Sequence, residues 1–407
     1  MKKDWHKRLL TGIAPVVLAG AVFAAAPANA ADHYKVFLDM SYSGNTWQAA
    51  AANGIKALAA TPPYDKTVEF KTVISGTDVQ HQISDLQSMV ASGANAIILY
   101  PLSPTALNRV IKQACDKGVV VFTYDSTVTE PCARNVSNIT ARYGANTAQW
   151  MVNQMSGKGE VIFNHGVAGT TVTKVYDEQA YGVFKKYPGI KIVGDFYGNW
   201  NDATSQEEVA KILAAHPNVD GIWTVDGTYG SLQAVINKRP DRLVTIAGQS
   251  NNGYRLAIAD PAMQAKGLKG VSSSAGPAVG GYAFKLMMEV LTGKKKLSGN
   301  NIEYPLPWVE PQDVKICKGE SFVDGCNSFP AERVPPLFID TSLNGDLLPE
   351  LSLKSVQDGM ATPGATIQAL PEVHIADNLS GINCGTCETP KDWLEPNKVK
   401  PIPVPDR

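Results

Sequence analysis

Charged side chains are scarce in this sequence, and the basic ones do not cluster. They make up 18% of the 407 residues, and the formal net charge is −1. A protein that follows a nucleic-acid backbone needs a continuous set of Lys and Arg residues to neutralise the phosphates. The sequence has no set of that size, so we expect no nucleic-acid partner.

The sequence also lacks the short motifs that mark common α/β enzymes. It contains no G-x-G-x-x-G after a strand, no G-x-x-x-x-G-K-[ST], no G-x-S-x-G and no H-E-x-x-H. The segment 248–252, Gly-Gln-Ser-Asn-Asn, comes nearest to a nucleophile elbow but lacks the second glycine. We therefore predict a binding protein without cofactor, metal or catalytic residues. An α/β hydrolase is the alternative from another class.

The only long apolar run lies at the N-terminus. Several basic residues precede an apolar stretch at 13–26, and the small residues 28–30 follow it. This order is that of a secretory signal peptide with an A-x-A-like cleavage site. A buried helix or a membrane anchor is the alternative, but the stretch is shorter than the ~20 residues that span a bilayer. We expect residues 1–30 to direct export to the periplasm.

Six cysteines, an even number, fit an oxidising compartment. Sequence order suggests three disulfides, which are Cys115 with Cys132, Cys317 with Cys326, and Cys384 with Cys387. The last pair also has the spacing of a redox pair or half a zinc site. No second Cys or His pair stands at ligand spacing, so we predict a structural disulfide there.

From residue 34 to residue 293, short apolar runs rich in β-branched residues alternate with stretches of helical period. The runs are at 35–39, 68–74, 96–100 and 119–124, and then at 160–164, 190–196, 221–225, 243–247 and 270–273. Nearly continuous apolar strands are typical of parallel sheets that helices bury on both faces. The two series predict an α/β protein of two doubly wound parallel-sheet lobes.

Beyond residue 293 the alternation stops. Residues 298–407 are rich in Pro and show little helical period, so we expect an irregular C-terminal extension. An edge strand is predicted at 304–309, since Pro is tolerated at sheet edges, and an extended polyproline-like end at 401–405. We interpret the extension as a belt across the lobes or a linker, in preference to a second functional domain.

In open α/β sheets, ligands bind beyond the carboxyl ends of the strands, where the strand order switches. The residues just after the predicted strands are mostly neutral hydrogen-bonding groups, with two Trp, two carboxylates and almost no Lys or Arg. The candidate ligand-binding residues among them are Asn45, Trp47, Tyr124, Asp125, Trp200, Asp226, Gln249 and Ser274.

This set of side chains suits a neutral polyhydroxylated ligand. Each hydroxyl both donates and accepts, so carboxylates and amides satisfy adjacent pairs of hydroxyls. Trp faces cover the apolar C–H side of such a ring. An anionic ligand calls for Arg, Lys or helix N-termini, and the strand ends offer only the last. We therefore predict a monosaccharide or polyol, with an amino acid or another polar solute as the alternative.

Several candidates have plainer interpretations. Trp47 and Trp200 are also compatible with packing, and Asp125 with stabilising a turn. Asp177 and Gln179, at the start of a predicted helix, are either ligand-binding or ordinary surface residues.

With these residues in place, the sequence over 34–297 resembles the ribose-binding-protein-like branch of the type I periplasmic binding proteins. The first loop of that branch carries an Asn and aromatic stackers. Asn45 and Trp47 are of the residue types that the branch has at these positions, whereas Thr46 and Gln48 differ from its pattern. The Asp-Arg pair of the branch corresponds to Asp125-Ser126, which keeps the carboxylate and loses the arginine.

In the second half of the chain, the resemblance aligns further ligand-binding positions. The strand-end aromatic of the branch matches Trp200, its Asn-Asp pair corresponds to Asp226-Gly227, and its later acidic ligand falls near Gln249. Its ligand-clasping arginine aligns nearest to Gln179, with Tyr176 or Asp177 as rivals.

The resemblance also implies a domain plan with a hinge of crossover strands near Asn138, Ser274 and Asn300. The first lobe is expected at 31–137 plus 275–297, the second at 138–274, and a crossover strand with the extension at 298–407. Asn138 and Ser274 would thereby lie at the ligand. The implied protein is a monomeric component of an ABC importer, with a membrane permease and a cytoplasmic ATPase as partners. A ligand sensor that presents its closed form to a receptor is the alternative.

Overall fold

The computed structural model describes residues 33–41, 44–138, 142–273, 276–322, 325–338, 347–371, 373–375 and 399–404. The predicted signal peptide, Ser274, and the pair Cys384 and Cys387 lie outside these ranges. None of the helices within them is long and apolar enough to cross a membrane.

Short strands and helices alternate along most of the described chain. The strands are β1 (Tyr34–Met40), β2 (Val68–Ile74), β3 (Ala96–Leu99), β4 (Val120–Tyr124), β5 (Arg134–Ser137), β6 (Lys158–His165), β7 (Gly189–Tyr197), β8 (Val219–Thr224), β9 (Thr245–Gly248), β10 (Lys269–Ser273), β11 (Asn301–Glu303) and β12 (Trp308–Val309). The helices are α1 (Thr46–Ala59), α2 (Val79–Ala91), α3 (Asn108–Asp116), α4 (Tyr143–Gln154), α5 (Thr171–Phe184), α6 (Asp202–Ala215), α7 (Thr228–Lys238), α8 (Asn252–Ala259), α9 (Pro261–Ala265), α10 (Ala278–Leu291) and α11 (Leu353–Asp358).

The strands form two six-stranded sheets, and the α/β unit around each is called here the first or the second lobe. The first sheet has the order β11-β5-β4-β3-β1-β2, and all its pairings are parallel. The second has the order β12-β10-β9-β8-β6-β7 and is parallel except for its edge strand β12. The predicted fold class is confirmed.

The apolar pattern of the sequence explains why these segments form sheets covered by helices. Strands β3 and β9 are buried along their whole length, as expected when helices cover both faces of a sheet. On α3, Val110, Ile111 and Ala114 are buried together, because residues three and four apart lie on one face of a helix.

The strand order reverses beside the first strand of each lobe. Strand β1 lies between β2 and β3, and β6 lies between β7 and β8. At such a switch point the connections leave toward opposite faces of the sheet and leave a crevice beyond the carboxyl ends. Residues that follow β1, β3, β6 and β8 are therefore placed to contact a ligand.

Within the described residues, the chain passes between the sheets after Ser137, after Ser273, and between Glu303 and Trp308. The last passage lies a few residues beyond Asn300, where the resemblance indicated it. Helix α10, which follows the second passage, packs on β4 of the first sheet. The exact residues at which one lobe ends and the other begins stay a prediction.

The pattern of apolar runs did not predict two short strands. Strands β5 and β11 have four and three residues, and both include an asparagine at the point where they pair. Asn135 Nδ2 donates to Asn301 Oδ1 over 3.0 Å, so a polar contact replaces the apolar run that marks other strands. The edge strand predicted at 304–309 is reduced to β12, because Pro305 and Pro307 cannot donate to a neighbouring strand.

The extension packs on the first lobe through its apolar side chains. Phe322, Leu351 and Val356 belong to the same buried cluster as residues of α1 and α10. Lys285 of α10 and Glu350 form a buried ion pair with 2.7 Å between Nζ and Oε1. The extension is thus fixed to the first lobe by both apolar and ionic contacts.

The extension also contacts the second lobe. The side chain of Asn252, at the start of α8, donates to Phe329 O over 3.0 Å and accepts from Phe329 N over 2.7 Å. Near the C-terminus, Ile402 packs on the core of the second lobe, and its carbonyl accepts from Tyr187 OH over 2.9 Å. This geometry corresponds to the belt interpretation.

Two of the expected cysteine pairs lie at disulfide-bond distance, namely Cys115 with Cys132 and Cys317 with Cys326. The first links the end of α3 to the segment before β5, and the second closes a loop inside the extension. The third expected pair falls outside the described residues.

Candidate ligand-binding site

A cavity lies between the carboxyl ends of the two sheets. The first lobe contributes residues from the start of α1 and from the loops after β3 and β4. The second contributes residues from α5 and from the loops after β7, β8 and β9. The described lining is Asn45, Trp47, Gln48, Tyr100, Asp125, Val172, Tyr176, Trp200, Asp226 and Gln249. The structure therefore brings together six of the sequence-predicted residues: Asn45, Trp47, Asp125, Trp200, Asp226 and Gln249.

Asp125 is the buried carboxylate that the first lobe presents to the cavity. Its backbone is left-handed, with φ 61°, a conformation that Asp adopts more readily than most residues. Oδ2 accepts a hydrogen bond from Tyr100 OH over 3.2 Å, while Oδ1 is buried and has no partner among the described residues. Burial raises the pKa of Asp125 to about 7, and the Tyr100 hydroxyl opposes that rise. An unpaired buried oxygen at a cavity wall is a ready acceptor for a ligand hydroxyl.

A second network holds Tyr100 in place behind this contact. Gln82 Nε2 donates to Tyr100 O over 2.9 Å and to Asp39 Oδ2 over 3.0 Å. The main-chain amide of Leu102 donates to Gln82 Oε1 over 3.0 Å. Burial raises the pKa of Asp39 to about 7, with hydrogen bonds from Ser75 and Gln82 acting against it. The loop after β3 is thus positioned by side chains from β1 and α2.

Asp226 is the buried carboxylate of the second lobe, and the main chain positions it. Its Oδ1 accepts from Gly227 N over 2.7 Å, and Asn164 Nδ2 donates to its carbonyl over 2.9 Å. Gly227 has φ +72°, and a Cβ there would lie 2.0 Å from Ser205 Oγ, so only glycine fits. Burial, with the nearby Asp202 carboxylate, raises the pKa of Asp226.

Aromatic rings from both lobes border the cavity. Trp200 comes from the second lobe, and its ring meets that of Tyr100 from the first lobe edge-on, with centroids 5.8 Å apart. Trp200 has φ 54°, a strained conformation for a bulky residue that structures retain mainly at functional positions. Trp47 stacks on Tyr124 with an interplanar angle of 6° and centroids 6.3 Å apart. The indoles are therefore held in fixed orientations.

Contacts between the two lobes keep this cavity small. Asn45 Nδ2 donates to Trp200 O over 3.3 Å, and Thr171 Oγ1 donates to Thr127 O over 3.2 Å. The enclosed volume is ≈ 30 Å³, room for ~two water molecules. The structure is thus a closed arrangement, and a ring-sized ligand requires the two walls to move apart.

The sequence of residues 36–295 matches the family model described as periplasmic binding protein domain, which is more than half of the chain. Together with two doubly wound lobes around a shared cavity, this match decides the family. The chain belongs to the periplasmic binding protein family. It is a member of the ribose-binding-protein-like, type I branch, and the extension after residue 295 lies outside the matched region.

Curated relatives of this periplasmic binding protein are identical to it at about a quarter of the residues that align. It is 26% identical over 165 residues to the xylitol-binding protein of Mycolicibacterium smegmatis, which covers 40% of this chain and 47% of that protein. It is 25% identical over 203 residues to the galactofuranose-binding protein of Escherichia coli, which covers 47% of this chain and 63% of that protein. The chain therefore spans about half to just under two thirds of the length of these relatives. Both are binding proteins by name.

A solved structure is similar over a longer stretch. The ABC transporter solute binding protein from Thermobispora bispora superimposes with a TM-score of 0.62 at 25% identity, covering 69% of this chain and 86% of that one.

Four lining residues of this periplasmic binding protein were not among the predicted ones. Gln48 and Tyr100 lie in strand-end segments that the sequence pointed to, but nothing in the pattern separated them from their neighbours. Val172 and Tyr176 lie on α5, one helical turn apart. A helix face that borders a cavity has the same apolar spacing as one that borders a core, so the position of Val172 follows only from the fold. Tyr176 had been named by the resemblance only as a rival to Gln179.

Other predicted residues lie beside the cavity. Tyr124 is fully buried behind Trp47, and its hydroxyl donates to Gln48 Oε1 over 3.2 Å. Asn138 Oδ1 accepts from Tyr176 OH over 2.9 Å, so it contacts a lining residue. Ser274 lies outside the described residues.

Asp177 and Gln179 do not line the cavity, because other groups engage their side chains. Gln179 Oε1 accepts from Gly144 N over 3.1 Å. Asp177 Oδ2 lies 2.8 Å from His165 Nδ1, and Asp195 Oδ1 lies 2.7 Å from His165 Nε2. Burial lowers the pKa of His165, but its two carboxylate partners outweigh burial and raise it overall. These contacts join α5 to the edge strand β7.

Proposed function

We propose that the protein is the substrate-binding component of an ABC importer. In this proposal, residues 1–30 direct it to the periplasm, where the monomeric mature chain captures a monosaccharide or polyol between its lobes and delivers it to a permease. The observation that carries the proposal is the composition of the cavity wall. Two indoles, two buried carboxylates and three amide side chains line it, and no Lys or Arg is among its described residues.

The wall favours hydroxyl groups over charged ligands. Asp125 and Asp226 stand on opposite lobes, so each can accept a hydrogen bond from a hydroxyl on a different side of one ring. An anionic ligand would meet two carboxylates and no guanidinium or ammonium group. Trp47 and Trp200 offer apolar surface to the C–H groups of the same ring. The curated relatives bind xylitol and galactofuranose by name, which supports the same ligand class.

Closure follows from contacts made by both lobes. A ligand that bonds Asp125 and Asp226 together stabilises the closed arrangement by its differential affinity for that arrangement over the open one. The Asn45 to Trp200 and Thr171 to Thr127 hydrogen bonds join the two walls. Opening the cleft breaks these two hydrogen bonds. A ligand that preserves them, or replaces them with its own contacts to both lobes, therefore lowers the rate at which the cleft opens.

A thermal-shift panel tests the ligand class. Mature protein is unfolded and refolded to remove any carried ligand, then heated with pentoses, hexoses, deoxysugars, polyols and amino acids. We expect one sugar or polyol to raise the melting temperature, because a ligand at 100 times its Kd stabilises by about 2.7 kcal/mol. Stabilisation by amino acids only, or by none of these compounds, would contradict the proposal. Uptake of the best ligand by cells with and without the chain then tests transport.

A further inference from the structure

A larger chamber adjoins the ligand cavity. It has a volume of ≈ 180 Å³, against ≈ 30 Å³ for the cavity itself. Both spaces share Asn45, Trp47, Trp200 and Asp226 as walls. The described residues that line only the chamber are Gly44, Thr46, Asn201, Asp202, Ala203 and Leu337. The chamber and the cavity are therefore neighbours that these four residues border on both sides.

Leu337 gives the chamber a wall that the family fold does not supply. It belongs to the extension, beyond residue 295, where the match to the family ends. Its carbonyl accepts from Thr46 Oγ1 over 2.6 Å, at the first residue of α1. On either side of it, Pro336 O accepts from Gly253 N over 2.8 Å and Phe338 O accepts from Asn252 N over 2.7 Å. The leucine is thus fixed between the first helix of one lobe and α8 of the other.

The free surface of the chamber is largely apolar. Asn201 Oδ1 accepts from Thr204 N over 2.9 Å, and Asp202 Oδ1 accepts from Gly230 N over 2.8 Å, so these oxygens are already engaged. The other lining residues include the apolar or largely apolar Trp47, Trp200, Ala203 and Leu337. Such a surface gains free energy by covering apolar groups and offers little to a row of hydroxyls.

We infer that the ligand is an O-substituted sugar or polyol, such as a glycoside. Its hydroxylated ring occupies the cavity between Asp125 and Asp226, and its less polar substituent occupies the chamber against Leu337. This inference rests on the proposed function, and it adds that the extension contributes to ligand selection. A bare monosaccharide fills only the inner part of the site.

Calorimetry with matched ligand pairs tests the inference. The probes are D-ribose, D-xylose, L-arabinose, D-galactose, D-allose, xylitol and myo-inositol, each compared with its mono-O-methyl and mono-O-benzyl derivatives. We expect at least one derivative to bind refolded full-length mature protein at least tenfold more tightly than its parent compound. Leu337→Trp, which fills the chamber, should lower the affinity for that derivative more than the affinity for its parent compound, and so remove the gain.

Two further variants keep the test decisive if Leu337→Trp does not fold. Ala203→Phe fills the chamber from α6, where residue 203 is exposed, and should remove the same gain. Leu297→Trp is the control, since Leu297 is likewise partly buried but lies beside Arg134 and Cys132, away from the site. It should change neither affinity.

The outcomes separate the inference from the function on which it rests. If no parent and no derivative binds, the proposed function is wrong. If parents bind and every derivative binds equally or more weakly, the chamber is only the entrance to the cleft and the inference is overturned. Equal loss of parent and derivative affinity in both chamber-filling variants would also overturn it.

Discussion

The two walls of the cavity carry the same chemistry but are held by different means. Each lobe presents one Trp and one buried Asp. In the first lobe, Asp125 accepts a hydrogen bond from the Tyr100 hydroxyl, and its other carboxylate oxygen has no partner among the residues described. In the second, a main-chain amide holds the Asp226 carboxylate, and an asparagine holds its carbonyl. A side-chain substitution at Tyr100 can therefore change the position of the Asp125 carboxylate, whereas the position of the Asp226 carboxylate depends on the main-chain turn at Gly227.

Both walls should be needed for tight binding, and removing either carboxylate should have the largest effect. We expect Asp125→Ala and Asp226→Ala each to weaken binding of the panel ligand tenfold to about a hundredfold, because a hydrogen bond to a charged group contributes about 1.5–3 kcal/mol. Isothermal titration calorimetry measures this loss. Asp116→Ala is the control, since Asp116 is an exposed partner of Lys112. Unchanged affinity in both cavity variants would remove these residues from the site.

The raised pKa values of the two carboxyls predict a pH dependence of binding. Ligand hydroxyls donate to an ionised carboxylate, so binding favours loss of the proton that burial retains on Asp125 up to about pH 7. Affinity should rise about tenfold from pH 6 to pH 7.5, since one pKa unit corresponds to about 1.4 kcal/mol. Calorimetry across this range measures the change. Asp125→Asn should remove the part of this pH dependence that comes from the Asp125 carboxyl. If the affinity of the unmodified protein does not change with pH, Asp125 does not bind the ligand as an ionised carboxylate.

Stability of the ligand-free protein should change with pH in the opposite sense. The folded carboxyl of Asp125 keeps its proton to about pH 7, whereas the unfolded one loses it near the usual value of 3.8. The folded state therefore binds more protons in that window, and the free energy of unfolding contributed by this group falls as the pH rises through it. Denaturant unfolding at several pH values, with Asp125→Asn as comparison, measures the slope.

Replacing Tyr100 should weaken ligand binding less than replacing Asp125 or Asp226. Tyr100→Phe removes the hydroxyl that donates to Asp125, and we expect binding to weaken about threefold, as for the loss of one neutral hydrogen bond. The pH at which affinity rises should also move upward, because that hydroxyl lowers the pKa of Asp125. Tyr187→Phe, which removes a buried hydroxyl far from the cavity, should change neither. A weaker affinity with an unmoved pH profile would mean that Tyr100 acts only in packing.

Most of the fold followed from local pattern. The apolar run at 96–100 became β3 because burial on both faces of the sheet selects β-branched and aliphatic residues. The run at 68–74 became the edge strand β2, which has no fully buried residue. Strands β5 and β11 did not follow from it. They are short and polar, and their pairing depends on a contact between Asn135 and Asn301 that joins residues 166 positions apart.

The candidate site was predictable to the extent that it lies at strand ends. Trp47, Asp125, Trp200 and Asp226 stand directly after strands or at the start of the following helix, so the switch-point rule found them. The sequence pattern did not show that Asp177 and Gln179 face away from the cavity. Their side chains contact His165 and the amide of Gly144, which lie 12 and 35 positions away in the sequence. Which polar residue faces a cavity and which one faces a neighbour depends on side-chain partners that the pattern does not contain.

The amino-acid sequence by itself determined the alternating elements, the two sheets and the scarcity of basic side chains at the strand ends, because these depend on local periodicity and residue type. The tertiary structure decided what depends on distant pairings. It placed Val172 of α5 at the cavity and left Oδ1 of Asp125 without a partner in the part of the chain that the structure describes. It also brought Leu337 of the extension beside Trp47 and Trp200. Contacts across nearly three hundred positions, such as Thr46 to Leu337, arise only when the whole chain has packed.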